Sequence, residues 1–508
     1  MKKTLRGIII FTCMIVLMSF VASGLVRGGR WSSGLLLGGI DNWLYNGGTL
    51  YTNAEKGMTP GSSYFPGVMF VAALLRLLLG YRAETAFIVC GGLVTILTFL
   101  AFSKIASDDK EKQFTLFVMG ICLFFMEFPS ARIYLLELHP DIPALMCFAW
   151  GIILMNRFLE NHGSIDYVKC TILFYCAGLF KQNAVFLYFG LGIYALLSPT
   201  YKWKAKVLIL LSELMAGIAT LITVISIKGC WYNCITVNSL HPLQTKREYI
   251  SYAVKTCLNN KFFIIVACVS CILLLLKRIT LKREIEKMWL ASAIGWFGFG
   301  MFGAAKQGAN TGNMEAAIIA FMPLVLCFIE KFYKYIKGIL HREKYDGIFA
   351  DNVFRKKMKF VSLCGSIILC LLINVVAIKS TITCLWKYNE RLAAESEFSK
   401  WISECYPECN VAYNTITYEL LNHATVNKTT DLYTVSVWEM GKLIEDDDLK
   451  RIAEEEKWDV IITWPGLNDT KWPKTFEDFK KLEIEKYPNL KDYYGENVEV
   501  FARYEKMD

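Results

Sequence analysis

The chain has 508 residues, of which 54% are hydrophobic and only 20% are charged, and its mean hydropathy is +0.36. A soluble protein carries roughly 25% charged residues, and a disordered chain lacks apolar sequence grouped in long blocks. The formal net charge of +9 is the sum of two parts of opposite sign. Residues 390–508 are net acidic, and the apolar part before them is net basic. The composition therefore indicates a protein of the lipid bilayer, and its positive charge is not a sign of nucleic-acid binding.

Apolar blocks suited to membrane helices recur along the first 380 residues. The first covers residues 7–26 behind a basic N-terminus, and its ~20 residues suffice for a full crossing. No compact small-residue cleavage site follows it, so we predict a retained helix rather than a signal peptide. The further apolar blocks lie at residues 66–80, 83–103, 113–128, 142–158, 170–198, 207–227, 261–276, 288–305, 314–329 and 360–378.

The distribution of lysine and arginine between these blocks predicts their orientation. Loops 199–206, 277–287 and 330–359 are densely basic, and basic loops remain in the cytoplasm. The remaining connections of the second half then lie outside, namely loops 228–260 and 306–313 and the tail after residue 379.

This alternation has two consequences for the first half of the chain. The block 170–198 has to form two short helices, separated by Lys181-Gln182-Asn183 near the outer face. Only two of the blocks 66–80, 83–103 and 113–128 can cross fully, and the sequence does not identify the third. The prediction is about eleven crossings of a bacterial plasma membrane, with the N-terminus in the cytoplasm and the C-terminus outside.

The predicted fold is an α-helical polytopic membrane domain over residues 1–380, followed by a small extracytoplasmic α/β domain over residues 385–508. An acidic amphipathic helix is predicted for residues 443–457. Short buried strands are predicted at residues 411–413, 460–462 and 498–502.

The 17 cysteines mostly lie in the apolar blocks, where a buried cysteine behaves as a small hydrophobic residue. No group of cysteines and histidines has the spacing of a zinc site. Cys405 and Cys409 in the tail are the only pair that we consider for a disulfide.

The first outer loop, residues 27–65, is rich in glycine, proline and aromatic residues. Asp41 lies there among aromatic side chains, and rings stack on sugar faces while a carboxylate binds or deprotonates hydroxyls. We therefore consider Asp41 as a catalytic base and Trp43, Tyr45 and Tyr64 as sugar-stacking residues. An Asx turn or a helix cap also accounts for an aspartate in such a loop, and the local pattern alone favours that structural role.

A second acidic group precedes an apolar helix and comprises Glu137, His139 and Asp141. The predicted topology places it on the same side of the membrane as Asp41, so a functional role would need the two carboxylates to lie close together. The alternative is structural, because an aspartate at a helix start also caps free N–H groups.

Lys181 is a charged residue with apolar sequence on both sides. Such a lysine usually pairs with an anion or lines a polar cavity, and snorkelling to the interface is the alternative. We expect a phosphate to be its partner, because the sequence offers few other anions nearby. Gln182, Lys306 and Arg247 lie at or near outer loops and complete a polar, cationic set suited to a lipid phosphate.

The order of these motifs resembles the GT-C superfamily of polytopic membrane glycosyltransferases, near its RgtA/B/C/D-like and protein O-mannosyltransferase-like members. The resemblance covers about residues 1–330. It rests on five features that follow one another along the chain, namely Gly39-Ile40-Asp41 with Tyr45, Pro60…Phe65-Pro66-Gly67, His139-Pro140-Asp141-Ile142-Pro143, Lys181-Gln182-Asn183 and Gly308-Ala309-Asn310…Asn313…Glu315.

The resemblance implies an inverting glycosyltransferase that takes its sugar from a polyprenyl-phosphate carrier. Asp41 matches the acidic residue of the family's first loop, the expected catalytic base. Asp141, with His139 and Glu137 beside it, matches the acidic residue of a later outer loop, which would help to bind the acceptor, the donor or a metal. The acceptor is a cell-envelope glycan, lipid or protein, and a divalent cation bound by Asp41 and Asp141 is an option that the resemblance leaves open. Two alternatives are a transporter or flippase of lipid-linked glycans and a non-catalytic envelope assembly protein.

Overall fold

The structure is a computed structural model that describes residues 2–26, 31–45, 49–51, 65–80, 83–128, 139–240, 242–277, 280–306, 311–342, 352–421, 424–432, 446–463, 478–482, 488–494 and 498–503. Helices dominate it. Up to residue 342 they are α1 (Lys2–Val26), α2 (Trp31–Leu44), α3 (Pro66–Leu79), α4 (Ala83–Ala106), α5 (Lys110–Glu127), α6 (Asp141–Asn161), α7 (Ser164–Phe180), α8 (Ala184–Leu197), α9 (Trp203–Ser226), α10 (Lys246–Asn259), α11 (Lys261–Leu275), α12 (Glu284–Gly303), α13 (Thr311–Ile318) and α14 (Met322–Arg342). The helix α15 (Asn352–Cys405) then runs for 54 residues.

Several of these helices are apolar enough to cross a membrane. By length and composition, the described ranges contain four such helices, and the pair α10 and α11, bent by 90°, is a further candidate. The four are Ala86–Ala106, Asp141–Asn161, Trp203–Ser226 and Cys370–Cys405. In α9, Leu214, Ile222 and Ile225 are each about 60% exposed, as expected of side chains that face lipid. The figure of about eleven crossings stays a prediction.

The turn at Lys181-Gln182-Asn183 divides the block 170–198 as the sequence predicts. Helix α7 ends at Phe180 and α8 begins at Ala184. The backbone N–H of Ala184 donates to the carbonyl of Lys181 over 3.0 Å. Two helices of 17 and 14 residues therefore replace one long apolar segment.

The basic loops predicted to be cytoplasmic share one end of the helix bundle. Thr200 donates to a Glu284 carboxylate oxygen over 3.4 Å, which joins loop 199–206 to the start of α12. Lys331 Nζ lies 3.1 Å from Glu286 Oε2, which joins α14 to the same place. Arg283 Nε lies 2.9 Å from Glu286 Oε1. Two of the basic loops and Lys331 of α14 thus meet around acidic residues at the start of α12.

Helix α15 connects the bundle to the end of the chain. It packs along α1, and Asn374 donates to Thr12 over 3.1 Å between the two buried side chains. The helix continues to Cys405 without a break, so the predicted boundary between residues 380 and 385 falls inside it. The division into two domains stays a prediction.

The C-terminal region, residues 406–503, contains a five-stranded sheet of order β2-β1-β3-β5-β4. Strands β1, β2 and β3 are parallel, and β5 is antiparallel to β3 and β4. The sequence predicts β1, β3 and β5 and misses the other two. The elements are β1 (Asn410–Tyr413), β2 (Lys428–Asp431), α16 (Asp446–Glu455), β3 (Val460–Thr463), β4 (Lys480–Lys481), α17 (Pro488–Tyr494) and β5 (Glu499–Ala502). Cys405 and Cys409 are buried free thiols.

Two apolar cores organise the molecule. The first lies within the bundle and is formed by the helices from α4 to α14. The second joins α2 and α3 to the end of α15 and to the sheet of the C-terminal region. Asp41 and Arg76 lie at this second core, both less than a tenth exposed.

Candidate active site

Asp41 lies in a helix and not in a loop. It is in the last turn of α2, where its carbonyl accepts from Tyr45 N–H over 2.9 Å. The alternatives of an Asx turn and a helix N-cap are therefore wrong. The glycines around it weaken helix propensity in the sequence, and packing of α2 against neighbouring elements stabilises the helix instead.

The Asp41 carboxylate binds one cation and one phenol. Arg76 of α3 donates from Nε to Oδ1 over 2.8 Å and from its NH2 nitrogen to Oδ2 over 3.0 Å. The Tyr418 hydroxyl donates to Oδ2 as well. Burial, with the neighbouring Asp41 carboxylate as a second cause, raises the pKa of Tyr418 well above its usual value. The group is therefore a carboxylate held by two donors from separate parts of the chain.

Two of the predicted sugar-stacking residues are exposed beside this group. Trp43 is 38% exposed and Tyr45 is 58% exposed. The Tyr45 ring centroid lies 5.9 Å from the Arg76 guanidinium carbon. Both rings are accessible to a sugar. The third, Tyr64, lies outside the described residues.

Asp141 and Lys181 form a second buried pair. Lys181 Nζ donates to Asp141 Oδ2 over 2.6 Å, and His139 Nδ1 lies 2.6 Å from the same oxygen. The side chains of His139 and Asp141 are less than a tenth exposed, and that of Lys181 is 17% exposed. Burial lowers the pKa of His139, and the Asp141 carboxylate opposes this shift. Glu137, predicted to join this group, lies outside the described residues.

These contacts correct two expectations. Asp141 is the first residue of α6, where its charge lies at the helix start as the structural alternative expects, but its carboxylate also accepts from Lys181, so a cap alone does not account for it. The anionic partner of Lys181 is this protein carboxylate, whereas the sequence suggests a phosphate. The pairing was not foreseen because the two residues are 40 positions apart on different helices.

The remaining cations lie elsewhere. Lys306 Nζ donates to the Asn238 carbonyl over 2.6 Å, and burial lowers the pKa of Lys306. Arg247 is exposed in the first turn of α10. Gln182 is half-buried in the turn next to Lys181. Within the described ranges, no hydrogen bond or ion pair joins Lys306 or Arg247 to Asp41 or Asp141.

Helix α3 contacts the surroundings of both buried groups, one near each of its ends. A Cβ atom at Gly67 would lie 2.8 Å from the Leu179 carbonyl oxygen, so only glycine permits this approach of α3 to the end of α7. Leu179 precedes Lys181 by two residues, and Arg76 lies further along α3. Helix α3 therefore links the Asp141 pair with the Asp41 pair.

Sequence analysis missed Arg76 and Tyr418. An arginine inside the apolar run of α3 is a signal of the kind that singled out Lys181, and it could have identified Arg76. Tyr418 lies 377 positions from Asp41, and no local pattern marks it.

A divalent cation does not fit either carboxylate in this arrangement. Asp41 already faces the guanidinium of Arg76, and Asp141 faces the ammonium of Lys181. Within the part of the chain that the structure describes, no three His, Cys, Asp or Glu side chains are grouped to hold a metal ion.

No protein-family model matches this chain, and no curated protein matches its sequence significantly. Solved structures do match it. The crystal structure of ArnT from Cupriavidus metallidurans bound to undecaprenyl phosphate matches with a TM-score of 0.57 and 12% identity over 98% of both chains. The apo state of the same protein gives 0.56 and 13%, again over 98% of both chains.

A looser likeness is to the archaeal oligosaccharyltransferase AglB from Archaeoglobus fulgidus, with a TM-score of 0.46 and 10% identity over 92% of this chain and 70% of that one. The likeness to ArnT shows that this chain has the ArnT fold. The polytopic helical fold that the resemblance implies is thereby confirmed, as a fold alone.

Proposed function

We propose that this protein is a membrane glycosyltransferase that moves a sugar from a polyprenyl-phosphate carrier to a hydroxyl group of a cell-envelope glycan, lipid or protein. The observation that carries the proposal is the buried Asp41 carboxylate beside Arg76. It occurs in a fold shared with a protein crystallised with undecaprenyl phosphate. Asp141 and Lys181 add a second carboxylate and a cation near the same helix, α3.

In the proposed reaction, Asp41 takes the proton of the acceptor hydroxyl. The acceptor oxygen forms a bond to the anomeric carbon of the sugar. The bond between that carbon and the phosphate oxygen breaks, and its electron pair stays on the phosphate, so the configuration at carbon inverts. Positioned cations stabilise the charge that develops on the leaving phosphate.

Arg76 is the cation that we assign to this role first. Its guanidinium presents a planar set of donors that suits phosphate as well as carboxylate. In the described structure this guanidinium bonds both oxygens of Asp41. Transfer of part of the Arg76 hydrogen bonding to the carrier phosphate would release Asp41 when the donor binds.

We also propose that α3 is the block that does not cross the membrane. Its 14 residues span about 21 Å, against a hydrocarbon thickness of about 30 Å. Gly67 near its start contacts the end of α7, and Arg76 near its end binds Asp41. Both contacts are with parts predicted to lie at the outer face, so α3 lies along that face. The remaining helices then provide about eleven crossings.

The decisive experiment compares Asp41→Asn with the wild type in proteoliposomes. We expect transfer from undecaprenyl-phosphate sugars to fall by ~10²–10⁴-fold, which is the usual effect of losing a general base. Binding of undecaprenyl phosphate should stay within a few fold. The matched control is Asp109→Asn, which makes the same chemical change at the N-cap of α5 and should leave transfer unchanged.

The outcomes separate the proposed function from its rivals. Near-normal transfer by Asp41→Asn would remove Asp41 from the mechanism. A wild-type protein that translocates lipid-linked glycans but transfers no sugar would be a flippase. A wild-type protein with neither activity would favour an assembly role.

A further inference from the structure

The C-terminal region contributes a side chain to the Asp41 group. Tyr418 lies in a short 3₁₀ helix, Thr415–Leu421, that packs on α2. The side chain is almost fully buried, at 3% exposure. Its hydroxyl donates to Asp41 Oδ2, the oxygen that also accepts from Arg76 over 3.0 Å.

The contact between this 3₁₀ helix and α2 is closely fitted. A Cβ atom at Gly38 would lie 1.8 Å from the Tyr413 hydroxyl oxygen, so the glycine provides the space that Tyr413 fills. The Tyr413 and Tyr418 ring centroids are 4.7 Å apart. The two aromatic rings therefore pack closely against α2.

Hydrogen bonds of the neighbouring residues Thr417 and Leu420 hold the backbone around Tyr418. Thr417 donates to the carbonyl of Asn414 over 2.8 Å and lies 3.1 Å from the carbonyl of Ile462 in β3. Ser399 of α15 donates to the carbonyl of Leu420 over 2.5 Å. The tyrosine is therefore attached both to the sheet and to the long helix α15.

The described hydrogen bonds fall unequally on the two oxygens of the Asp41 carboxylate. An ionised carboxylate has about four acceptor positions on its two oxygens. Among the described residues, Oδ1 accepts from Arg76 alone, whereas Oδ2 accepts from Arg76 and Tyr418. Within that part of the chain Oδ1 is the less occupied oxygen, which makes it the one that suits an acceptor hydroxyl.

We propose that Tyr418 is a positioning residue, whose hydroxyl holds Oδ2 so that Oδ1 faces the acceptor. This inference rests on the proposed function. It makes the C-terminal region part of the active site, because that region supplies a hydrogen bond that the membrane helices do not. The raised pKa of Tyr418 keeps the phenol protonated as a donor at physiological pH.

The test uses the full-length protein in proteoliposomes, with a panel of radiolabelled undecaprenyl-phosphate hexoses and pentoses and envelope membranes as acceptor. Tyr418→Phe keeps the ring and its packing and removes only the hydroxyl. We expect kcat to fall about tenfold, since misorientation of a catalytic group slows the chemical step. The KM for the donor should change less than about twofold, since Tyr418 does not bind the donor.

The matched control is Tyr413→Phe, which removes a hydroxyl of the same contact that lies against Gly38 instead of Asp41. It should leave kcat within about twofold of the wild type. A second comparison uses Asp41→Asn as the background. Because Tyr418 acts through Asp41, Tyr418→Phe should add less than about a twofold further loss there, whereas a purely structural effect would add in full.

The remaining results overturn either the positioning role alone or the proposed function together with it. A kcat for Tyr418→Phe within twofold of an active wild type, or a full additional loss in the Asp41→Asn background, would overturn the positioning role alone. A faster Tyr418→Phe would show that the tyrosine blocks the acceptor position, which also contradicts it. A wild-type protein that transfers none of the sugars would overturn the proposed function and this inference with it.

Discussion

At the scale of single residues, Lys181 and Asp141 stabilise each other in a buried ion pair. Removing one partner of such a pair leaves a buried charge without compensation, which costs more than the pair itself contributes. A buried lysine without an anion would be costly, and methionine would replace it easily, whereas the pairing with Asp141 makes loss of the lysine destabilising.

We therefore predict that Lys181→Met lowers the free energy of unfolding, by about 3 kcal/mol. Thermal unfolding in detergent measures this loss of stability. The control is Lys202→Met, which replaces an exposed lysine. The double variant Asp141→Asn with Lys181→Met should be more stable than Lys181→Met alone. Equal stability of Lys181→Met and the wild type would contradict the structural importance of the pair.

His139 predicts a pH dependence of stability. Burial depresses its pKa in the folded state, while the unfolded value is about 6.5. Between these two values the unfolded chain binds a proton that the folded chain does not, so stability falls as pH falls below about 6.5. Unfolding midpoints measured over this range should fall less steeply for His139→Gln. Identical slopes for the variant and the wild type would show that other groups control the acid limit.

Sequence reasoning identified Asp41, His139, Asp141 and Lys181, which the structure places in two buried groups. These residues stand out because charge is rare in apolar surroundings. Their partners were not assigned, because an ion pair between distant positions depends on how the helices pack. Tyr418 is the extreme case, since tyrosines are common in this chain and a local pattern does not distinguish one from another.

At the scale of elements, glycines set how closely the helices approach. A Cβ atom at Gly295 of α12 would lie 2.2 Å from the Phe186 carbonyl oxygen of α8, and one at Gly190 would lie 2.3 Å from the Ala291 carbonyl oxygen. The two helices thus meet backbone to backbone. Such small-residue contacts are typical of helix packing in membranes.

Gly295 and Gly298 of the same helix should respond oppositely to alanine. Gly295→Ala forces the α8 and α12 backbones apart and should cost about 1–3 kcal/mol or more. Gly298 has open space around its Cβ position, so Gly298→Ala should be neutral or stabilise the helix by up to about 1 kcal/mol. The unfolding temperatures of the two variants, compared with that of the wild type, measure the two effects. Equal effects would mean that the backbone contact does not determine stability.

Helix α2 shows where local pattern fails at this scale. Its sequence is rich in glycine and serine, which disfavours a helix in isolation, and the segment was therefore predicted to be part of a loop. Packing of α2 on α3 and on the Tyr413 and Tyr418 rings compensates for the weak propensity. Gly38 is one of the glycines that lower the helix propensity of α2, and it also leaves the space that Tyr413 fills.

At the scale of the whole molecule, the predicted orientation follows from where the basic loops gather. Loop 199–206, Arg283 of loop 277–287 and Lys331 of α14 meet around the start of α12, and the Asp41 group lies with the C-terminal region. The orientation stays a prediction, with the first set in the cytoplasm and the C-terminal region outside.

Single-cysteine labelling in a cysteine-free background tests this orientation. Lys400→Cys, at an exposed position of α15, should react with an impermeant thiol reagent in intact, wall-permeabilised cells. Lys202→Cys, in the first basic loop, should react only after the membrane is opened. The reverse pattern would invert the topology and place the proposed active site in the cytoplasm.

The sequence by itself determined that this is a helical membrane protein, where most of its apolar helices lie, and which charged residues are candidates for the functional site. These properties depend on local composition, because the bilayer selects long apolar segments wherever they occur along the chain. The tertiary structure alone decided that Asp41 pairs with Arg76, that Asp141 pairs with Lys181, and that Tyr418 reaches Asp41. Those contacts join residues 35, 40 and 377 positions apart, and only the packing of the helices against each other and against the C-terminal region brings them within bonding distance.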